Sequence, residues 1–315
     1  MRISPALGGS IIVLWSFGYP LGALGITAMS PMLLLTFRFV LSALLMGGAA
    51  AVAHARFPRG RQLAHVAVAG LLTQGVQFGC LYIGLELGVP SVIAALLIAL
   101  NPVVTAVLAR PILGAHLGRR QILGLAIGVA AVVAACAQRV ATTGPLDAGV
   151  ALTLVAVLGL SLGGLYQQRF CSDVDVRSAN AVQLGVAAVP VAIIAAMTPE
   201  AITDPLRAAW VIPVMVLFSS ALCTTLYMRA VNQAGAAQAA MLFTVIPSVA
   251  AVMGWGMLGQ RPDVGVYVGL VLGAAALVIG RSVRPTADST VSVTAGRPGS
   301  PTPRTQTAGS SRVGP

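Results

Sequence analysis

V-P-S-V-I-A-A-L-L-I-A-L-N-P-V-V-T-A (Val89–Ala106) decides the fold, because A-A-M-L-F-T-V-I-P-S-V-A-A-V (Ala239–Val252) repeats its plan further along the chain. Both are long apolar runs with a proline well inside them, and a shift of 145 residues lays Pro102 on Pro247. The same shift lays Gly18 on Gly163, Tyr82 on Tyr227, Gly114 on Gly259, Gly124 on Gly269 and Gly128 on Gly273, with no gap over residues 10–128. One constant offset, with the apolar blocks in step, marks a duplication. Duplicated hydrophobic halves are the sequence sign of a membrane transporter whose substrate site lies between them.

Composition agrees with that reading. Of 315 residues, 57% are hydrophobic and 9% charged, against about 25% charged in a soluble domain. The length accommodates about ten spans of about 20 residues. The runs do not alternate apolar and polar, so they are helices and not barrel strands. Spans are expected at 8–28, 31–53, 63–87, 90–113, 119–138, 147–168, 177–197, 207–231, 235–258 and 263–281. The fold class is therefore an all-α integral membrane protein of ten transmembrane helices in two inverted five-helix repeats. Residues 1–138 form the first repeat and 146–281 the second. Residues 282–315, rich in Pro, Thr, Ser and Gly, form a disordered cytoplasmic tail.

The net charge of +11 comes from 19 basic residues, all Arg. They lie between apolar segments and form no single basic face, so no nucleic-acid partner is expected. They set topology instead. With the N-terminus inside, Arg2, Arg56, Arg59, Arg61, Arg110, Arg119, Arg120, Arg169, Arg177, Arg229, Arg281 and Arg284 are cytoplasmic, and Arg139, Arg207 and Arg261 are outside. This asymmetry puts both termini in the cytoplasm of a multi-pass cell-membrane protein. Five spans per half, an odd number, require the second half to be inverted. Cys80, Cys136, Cys171 and Cys223 are scattered with no ligand spacing, so no metal, cofactor or disulfide framework is expected. No nucleophile set, HExxH or phosphate loop points to an enzyme.

Close helix packing is expected along small-xxx-small ridges such as Gly18/Gly22, Gly84/Gly88, Gly124/Gly128 and Gly265/Gly269/Gly273. These serve internal contacts, or a homodimer face on the fifth or tenth span, so the chain is a monomer or a homodimer. Pro102 and Pro247, at matched positions, are candidate hinges that break their helices near mid-membrane, or plain kinks.

Arg38 is the sharpest site candidate. It lies seven residues into the second span, about 10 Å deep, where a charge is costly and functional by default. Its fork of donors suits a carboxylate or phosphate; snorkelling or bracing of helix carbonyls is the other reading. Its equivalent in the second half is Gln183, which keeps a donor and loses the charge. Gln74 and Gln77 share a helix face, and Asn101 precedes Pro102. Trp15, Tyr19, Tyr82, Tyr166, Gln167 and Tyr227 complete a set that would line a small-molecule cavity, although packing, interfacial anchoring and interhelical hydrogen bonds would also use such residues. No acidic residue falls at mid-span, Glu86 coming nearest, so no buried carboxylate is expected to relay protons.

These residues together resemble the drug/metabolite transporter superfamily, in its ten-span EamA-type branch, over about residues 10–281. The resemblance rests on W-S-F-G-Y-P (Trp15–Pro20), L-T-F-R-F-V (Leu35–Val40), the two opening passages, L-G-R-R-Q-I-L-G-L-A-I-G-V (Leu117–Val129) and V-G-L-V-L-G-A-A-A-L-V-I (Val268–Ile279). It implies a secondary transporter of a small organic metabolite, often an exporter of amino acids or related solutes. A carboxylate-bearing cargo moved by alternating access is the expectation. A multidrug exporter of amphipathic compounds, or a non-transporting membrane assembly or lipid-handling protein, is the alternative. The family commonly has an acidic residue after Gly at the ends of the fourth and ninth spans. Here Ala115 and His116 follow Gly114, and Gln260 follows Gly259.

Overall fold

Apolar runs without alternation fold as helices throughout the computed structural model, which describes residues 3–89, 91–114, 118–120, 122–130, 133, 148–259 and 264–280. Six helices are long and apolar enough to cross a membrane: α1 (Pro5–Ala28), α2 (Pro31–Val52), α3 (Arg61–Glu86), α7 (Ala148–Phe170), α8 (Val176–Met197) and α9 (Pro205–Ala234). Between α3 and α7 lie α4 (Ser91–Ile98), α5 (Asn101–Leu113) and a helical stretch at 122–130, α6. After α9 come α10 (Ala236–Ala240), α11 (Ile246–Leu258) and α12 (Val264–Gly280). A 3-10 turn, Met241–Thr244, extends α10, and the extended helix meets α11 at 44°, as a bent seventh span. Among the described residues no strand forms, only an isolated bridge between Met29 and Ile202.

Local chemistry sets the helix ends. Pro5, Pro31 and Pro205 occupy first turns, where a missing N–H costs nothing. Ser4, Asp175 and Asp204 cap their helices by accepting from the backbone N–H of Leu7, Arg177 and Arg207. Helices α5 and α11 both stop at a glycine in the left-handed region, Gly114 (φ 65°) and Gly259 (φ 69°).

The offset of 145 recurs in these bounds. Asn101–Leu113 maps onto Ile246–Leu258, and the start of α2 at Pro31 onto the start of α8 at Val176. Helix α3 widens into a π turn over Leu71–Val76, and α9 does so over Met215–Cys223, which contains the equivalent positions 216–221. The fourth and ninth segments are not single kinked helices. Each is two helices, interrupted at Ala99–Leu100 and at Val245, with Pro102 and Pro247 opening the second piece. A proline in the first turn removes no helical hydrogen bond, so the break falls just before it.

Equivalent helices α2 and α8 pack against each other, as do α1 with α11 and α5 with α7. The α1–α2 link lies beside the α8–α9 link. Ser30 N–H donates to Ala201 O (3.0 Å), Ala201 N–H to Ser30 Oγ (2.8 Å) and Thr203 N–H to Ala28 O (2.9 Å). The α2–α3 link lies beside the first turn of α8, just after the α7–α8 link, where Ser178 Oγ donates to Arg56 O (2.9 Å). Helix α7 approaches α3 most closely at its glycines. A Cβ on Gly159 would stand 2.9 Å from Leu72 O, and one on Gly163 would overlap Thr73. Larger residues there would force the helices apart.

Apolar side chains cover the outside as well as the core. Leu44, Val107, Val189 and Val271 are more than half exposed, while Leu34, Phe39, Leu160 and Leu184 are fully buried. An apolar exterior of this extent suits lipid and not water. The boundary between the two expected repeats (134–147), the tail (282–315) and the residues following Gly114 and Gly259 lie outside the described residues.

Candidate functional site

Among the described residues, two cavities inside the bundle share a wall made by Trp15, Gln77 and Thr224. The larger has about 50 Å³ of room for water-molecule centres and lies between the C-terminal part of α1, the start of α2, the later turns of α3 and the π turn of α9. The smaller has about 10 Å³ and lies among α3, α7, α8 and α9, toward the α7–α8 link. About 10–15 Å³ on this measure holds one water, so the first cavity accepts several heavy atoms and the second about one.

Arg38 is the only buried arginine among the described residues, 1% exposed on the wall of the larger cavity. Its Nε donates to Ser220 Oγ (2.7 Å) and one Nη to Ser219 Oγ (3.0 Å). Its guanidinium carbon stands 4.3 Å from the centre of the Phe78 ring, a cation–π contact worth about 2 kcal/mol when desolvated. Neutral hydroxyls and an aromatic face hold the group in place without cancelling its charge. Among the described residues no carboxylate pairs with it, and none of Glu86, Asp173, Asp175, Glu200 and Asp204 is buried. A fixed guanidinium on a cavity wall, with no carboxylate partner among the described residues, has the charge and donor geometry to pair with an anion.

Aromatic rings complete the wall. Trp15 stands edge-on to Tyr227 (5.2 Å between ring centres) and to Phe243 (4.7 Å). Tyr19 and Tyr82 line the larger cavity, and a Cβ on Gly22 would come within 2.9 Å of the Tyr82 hydroxyl.

The smaller cavity is walled by amides. Gln183 Nε2 donates to Gln167 Oε1 (2.8 Å), Gln167 Nε2 donates to Asn232 Oδ1 (3.3 Å), and Thr73 Oγ1 reaches Gln183 Oε1 at 3.5 Å. Gln74 and Gln77 are 2% and 1% exposed, and the Oε1 of each is buried without a hydrogen-bond partner.

Of the eleven residues singled out from sequence, Arg38, Tyr19 and Tyr82 line the larger cavity, and Trp15 and Gln77 line both. Gln74, Gln167, Gln183 and Tyr227 line the smaller. Two lie on neither wall. Asn101 is buried at the α4–α5 break, its Oδ1 accepting from Ser161 Oγ (2.8 Å) and Thr105 Oγ1 (3.0 Å). Tyr166 lies nearer the end of α7, its hydroxyl 2.8 Å from His65 Nδ1. Ser219, Ser220, Phe78, Cys223 and Thr224 belong to the site and were not singled out. Register would have found some of them, since Ser219 is the equivalent of Gln74, and Cys223 of Phe78. Among the described residues no cluster of His, Cys, Asp or Glu could hold a metal ion.

Comparison with known proteins gives this architecture a family. The chain is 24% identical over 263 residues to the uncharacterized inner membrane transporter YedA of Escherichia coli (strain K12), covering 82% of this chain and 85% of that one. It is 24% identical over 205 residues to the uncharacterized transporter YyaM of Bacillus subtilis (strain 168), covering 63% of this chain and 65% of that one. A protein of known crystal structure superposes with a TM-score of 0.70 at 15% identity, over 87% of this chain and 94% of its own; at that identity the likeness concerns fold alone. The model of the EamA-like transporter family matches twice, over residues 6–136 and again over 147–280. With an apolar multi-helix bundle, a charged internal cavity and a family match in each half, the chain is a multi-pass membrane transporter and belongs to the EamA-like transporter family.

Proposed function

We propose that this transporter moves a small carboxylate-bearing organic solute, an amino acid or related metabolite, out of the cell by alternating access between two inverted five-helix halves. The observation that carries the reading is Arg38: buried, held by Ser219 and Ser220, and without a carboxylate partner among the described residues. Such a group favours an anionic end of the cargo and disfavours an amphipathic cation, because like charges repel in a low-dielectric cavity.

The pairing of links supports inversion. If both halves started on the same side, the α1–α2 link would meet the second half, α7–α12, at its own equivalent, the α7–α8 link. It meets the α8–α9 link instead, and the α2–α3 link meets the first turn of α8, at the end where the α7–α8 link lies. Ten spans follow when α4 with α5, and extended α10 with α11, each count as one broken span. Arginine placement supports both termini inside, which turns the Arg38 cavity outward and the Gln183 cavity toward the cytoplasm. The breaks before Pro102 and Pro247 then act as hinges on either side of the site. Since none of the described acidic residues is buried, cargo flow is proposed to run without a carboxylate proton relay.

Purified protein in liposomes, loaded with radiolabelled amino, hydroxy and dicarboxylic acids, tests this. At least one should leave the vesicles through the wild type, and an imposed pH gradient should not alter its final distribution unless the cargo itself titrates. Arg38→Met should slow that flux about thirtyfold or more, the equivalent of losing about 2 kcal/mol from a buried charge contact, and Arg38→Lys should restore part of it. Unchanged flux in a correctly inserted Arg38→Met protein refutes the carboxylate reading, and flux of a quaternary-ammonium dye in place of the acids would favour a multidrug carrier.

A further inference from the structure

Gln74 and Gln77 lie three residues apart on α3, Gln74 inside the π turn and Gln77 just after it. Both are more than nine-tenths buried, and the Oε1 of each lacks a donor. Buried acceptors are nearly always paired, so two adjacent exceptions on one cavity wall call for an explanation. The other amides of that wall are already engaged: Gln183 with Gln167, and Gln167 with Asn232. Both residues line the enclosure of about 10 Å³, a size that suits one heavy atom. A small enclosure lined by residues with unpaired acceptors selects a donor. Gln77 also lines the Arg38 cavity, so the two enclosures adjoin at that residue.

We propose that the Gln74 and Gln77 amide oxygens form a second subsite, which takes a single ammonium or primary amino group of the cargo whose carboxylate meets Arg38. The anchoring of the carboxylate rests on the reading above; the amine subsite rests on the amides. An ammonium supplies donors to both oxygens and places its charge away from the guanidinium. A 2-oxo acid of the same shape would aim a carbonyl oxygen at two acceptors. Sites built to pair a hydrogen-bonding group reject analogues that leave the site's own groups unpaired. Selection between amino and oxo acids therefore belongs to α3, and retention of the carboxylate to α2.

Binding to the purified full chain in detergent, read by thermal-shift titration, tests this with matched pairs: phenylalanine with phenylpyruvate, leucine with 4-methyl-2-oxopentanoate, and the carboxylate-free amines phenethylamine and isopentylamine. At least one amino acid should bind about tenfold or more tightly than its oxo partner. The double variant Gln74→Leu, Gln77→Leu should reduce that ratio toward one without weakening the oxo acid; Gln74→Met, Gln77→Met, closer in shape, should do the same. Arg38→Met should weaken both members of a pair alike. Equal wild-type affinity for amino and oxo acids, a preference that survives both double variants, or no binding by any amine-bearing probe overturns the subsite. An intact amine preference with no response to Arg38→Met upholds the subsite and refutes the carboxylate reading instead.

Discussion

Position 38 and its equivalent, position 183, occupy the same place in the two halves and have opposite surroundings. Arg38 faces a cavity of several heavy atoms, with hydroxyls steadying it and no carboxylate cancelling its charge among the described residues. Gln183 is tied to Gln167, and through it to Asn232, beside a cavity the size of one water. Duplication supplied two equivalent enclosures, and divergence left one open and charged, the other crowded and neutral. A polar side chain can receive cargo only where its capacity remains unspent. Position 38 keeps that capacity, and position 183 has given it to its neighbours. On the proposed topology the open enclosure faces outward and the amide network closes the cytoplasmic side.

The comparison breaks most decisively if position 183 tolerates a charge. Gln183→Arg would bury a guanidinium where the helices already touch at the backbone, since a Cβ built on Gly70 would lie 2.5 Å from Gln183 Cα. The equivalents of Ser219 and Ser220 are Gln74 and Gly75, so one of the two steadying hydroxyls has no counterpart at all. An unpaired buried charge costs about 3–5 kcal/mol. The variant should therefore unfold at a clearly lower temperature in detergent, with weak membrane expression. Wild-type stability would mean that the cytoplasmic enclosure is as adaptable as the Arg38 cavity, and the contrast between them would lose its meaning.

A smaller perturbation sharpens the contrast. Gln183→Ala removes the donor to Gln167 Oε1 and leaves that buried acceptor unsatisfied, at about 1–3 kcal/mol. If the network closes the cytoplasmic side, the variant should shift toward a state open there. Met228 lines the smaller cavity and is 3% exposed. With Cys80, Cys136, Cys171 and Cys223 replaced by Ala, a Met228→Cys thiol should react faster with a water-soluble maleimide when Gln183→Ala is present. An unchanged rate would show that the amides merely fill space.

Much of this architecture is legible in the sequence, for identifiable reasons. Helix ends were readable where local chemistry enforces them, as at Pro31 and Asp175. The register of the duplication was readable because glycine and proline are chosen for backbone geometry, which both halves share. The π turns were not readable. Leu71–Val76 and Met215–Cys223 carry no special residues in common. The site was readable in kind more than in detail. Arg38 stands out because a charge in an apolar run is rare, whereas Ser219 and Ser220 are ordinary residues of a membrane helix until Arg38 is seen to reach them. Tyr166 and Asn101 have the composition of cavity residues but find partners elsewhere, His65 for one, Ser161 and Thr105 for the other. Sequence gives the type of a polar group and not whether a neighbour has already used it.

The smallest expected effect compares two serines in equivalent places. Ser161 Oγ donates to the Asn101 side chain (2.8 Å), and Ser16 Oγ, 145 residues earlier, donates to the backbone oxygen of Ile246, the equivalent of Asn101 (3.1 Å). Both therefore fasten a neighbouring helix to the start of the piece that follows a break. They differ in what remains after truncation. Ser16→Ala leaves a carbonyl at a helix start, where the next turn supplies an amide donor, so the loss should approach the usual interhelical value of about 0.6 kcal/mol. Ser161→Ala leaves Asn101 with only Thr105 on its Oδ1 and with a buried Nδ2 that already lacks a partner, so the loss should be nearer the upper value of about 1.7 kcal/mol. Parallel thermal unfolding of the two variants decides the order. If Ser16→Ala costs as much or more, the side-chain link at the first break is no stronger than the backbone link at the second, and the two halves are more alike at their hinges than at positions 38 and 183.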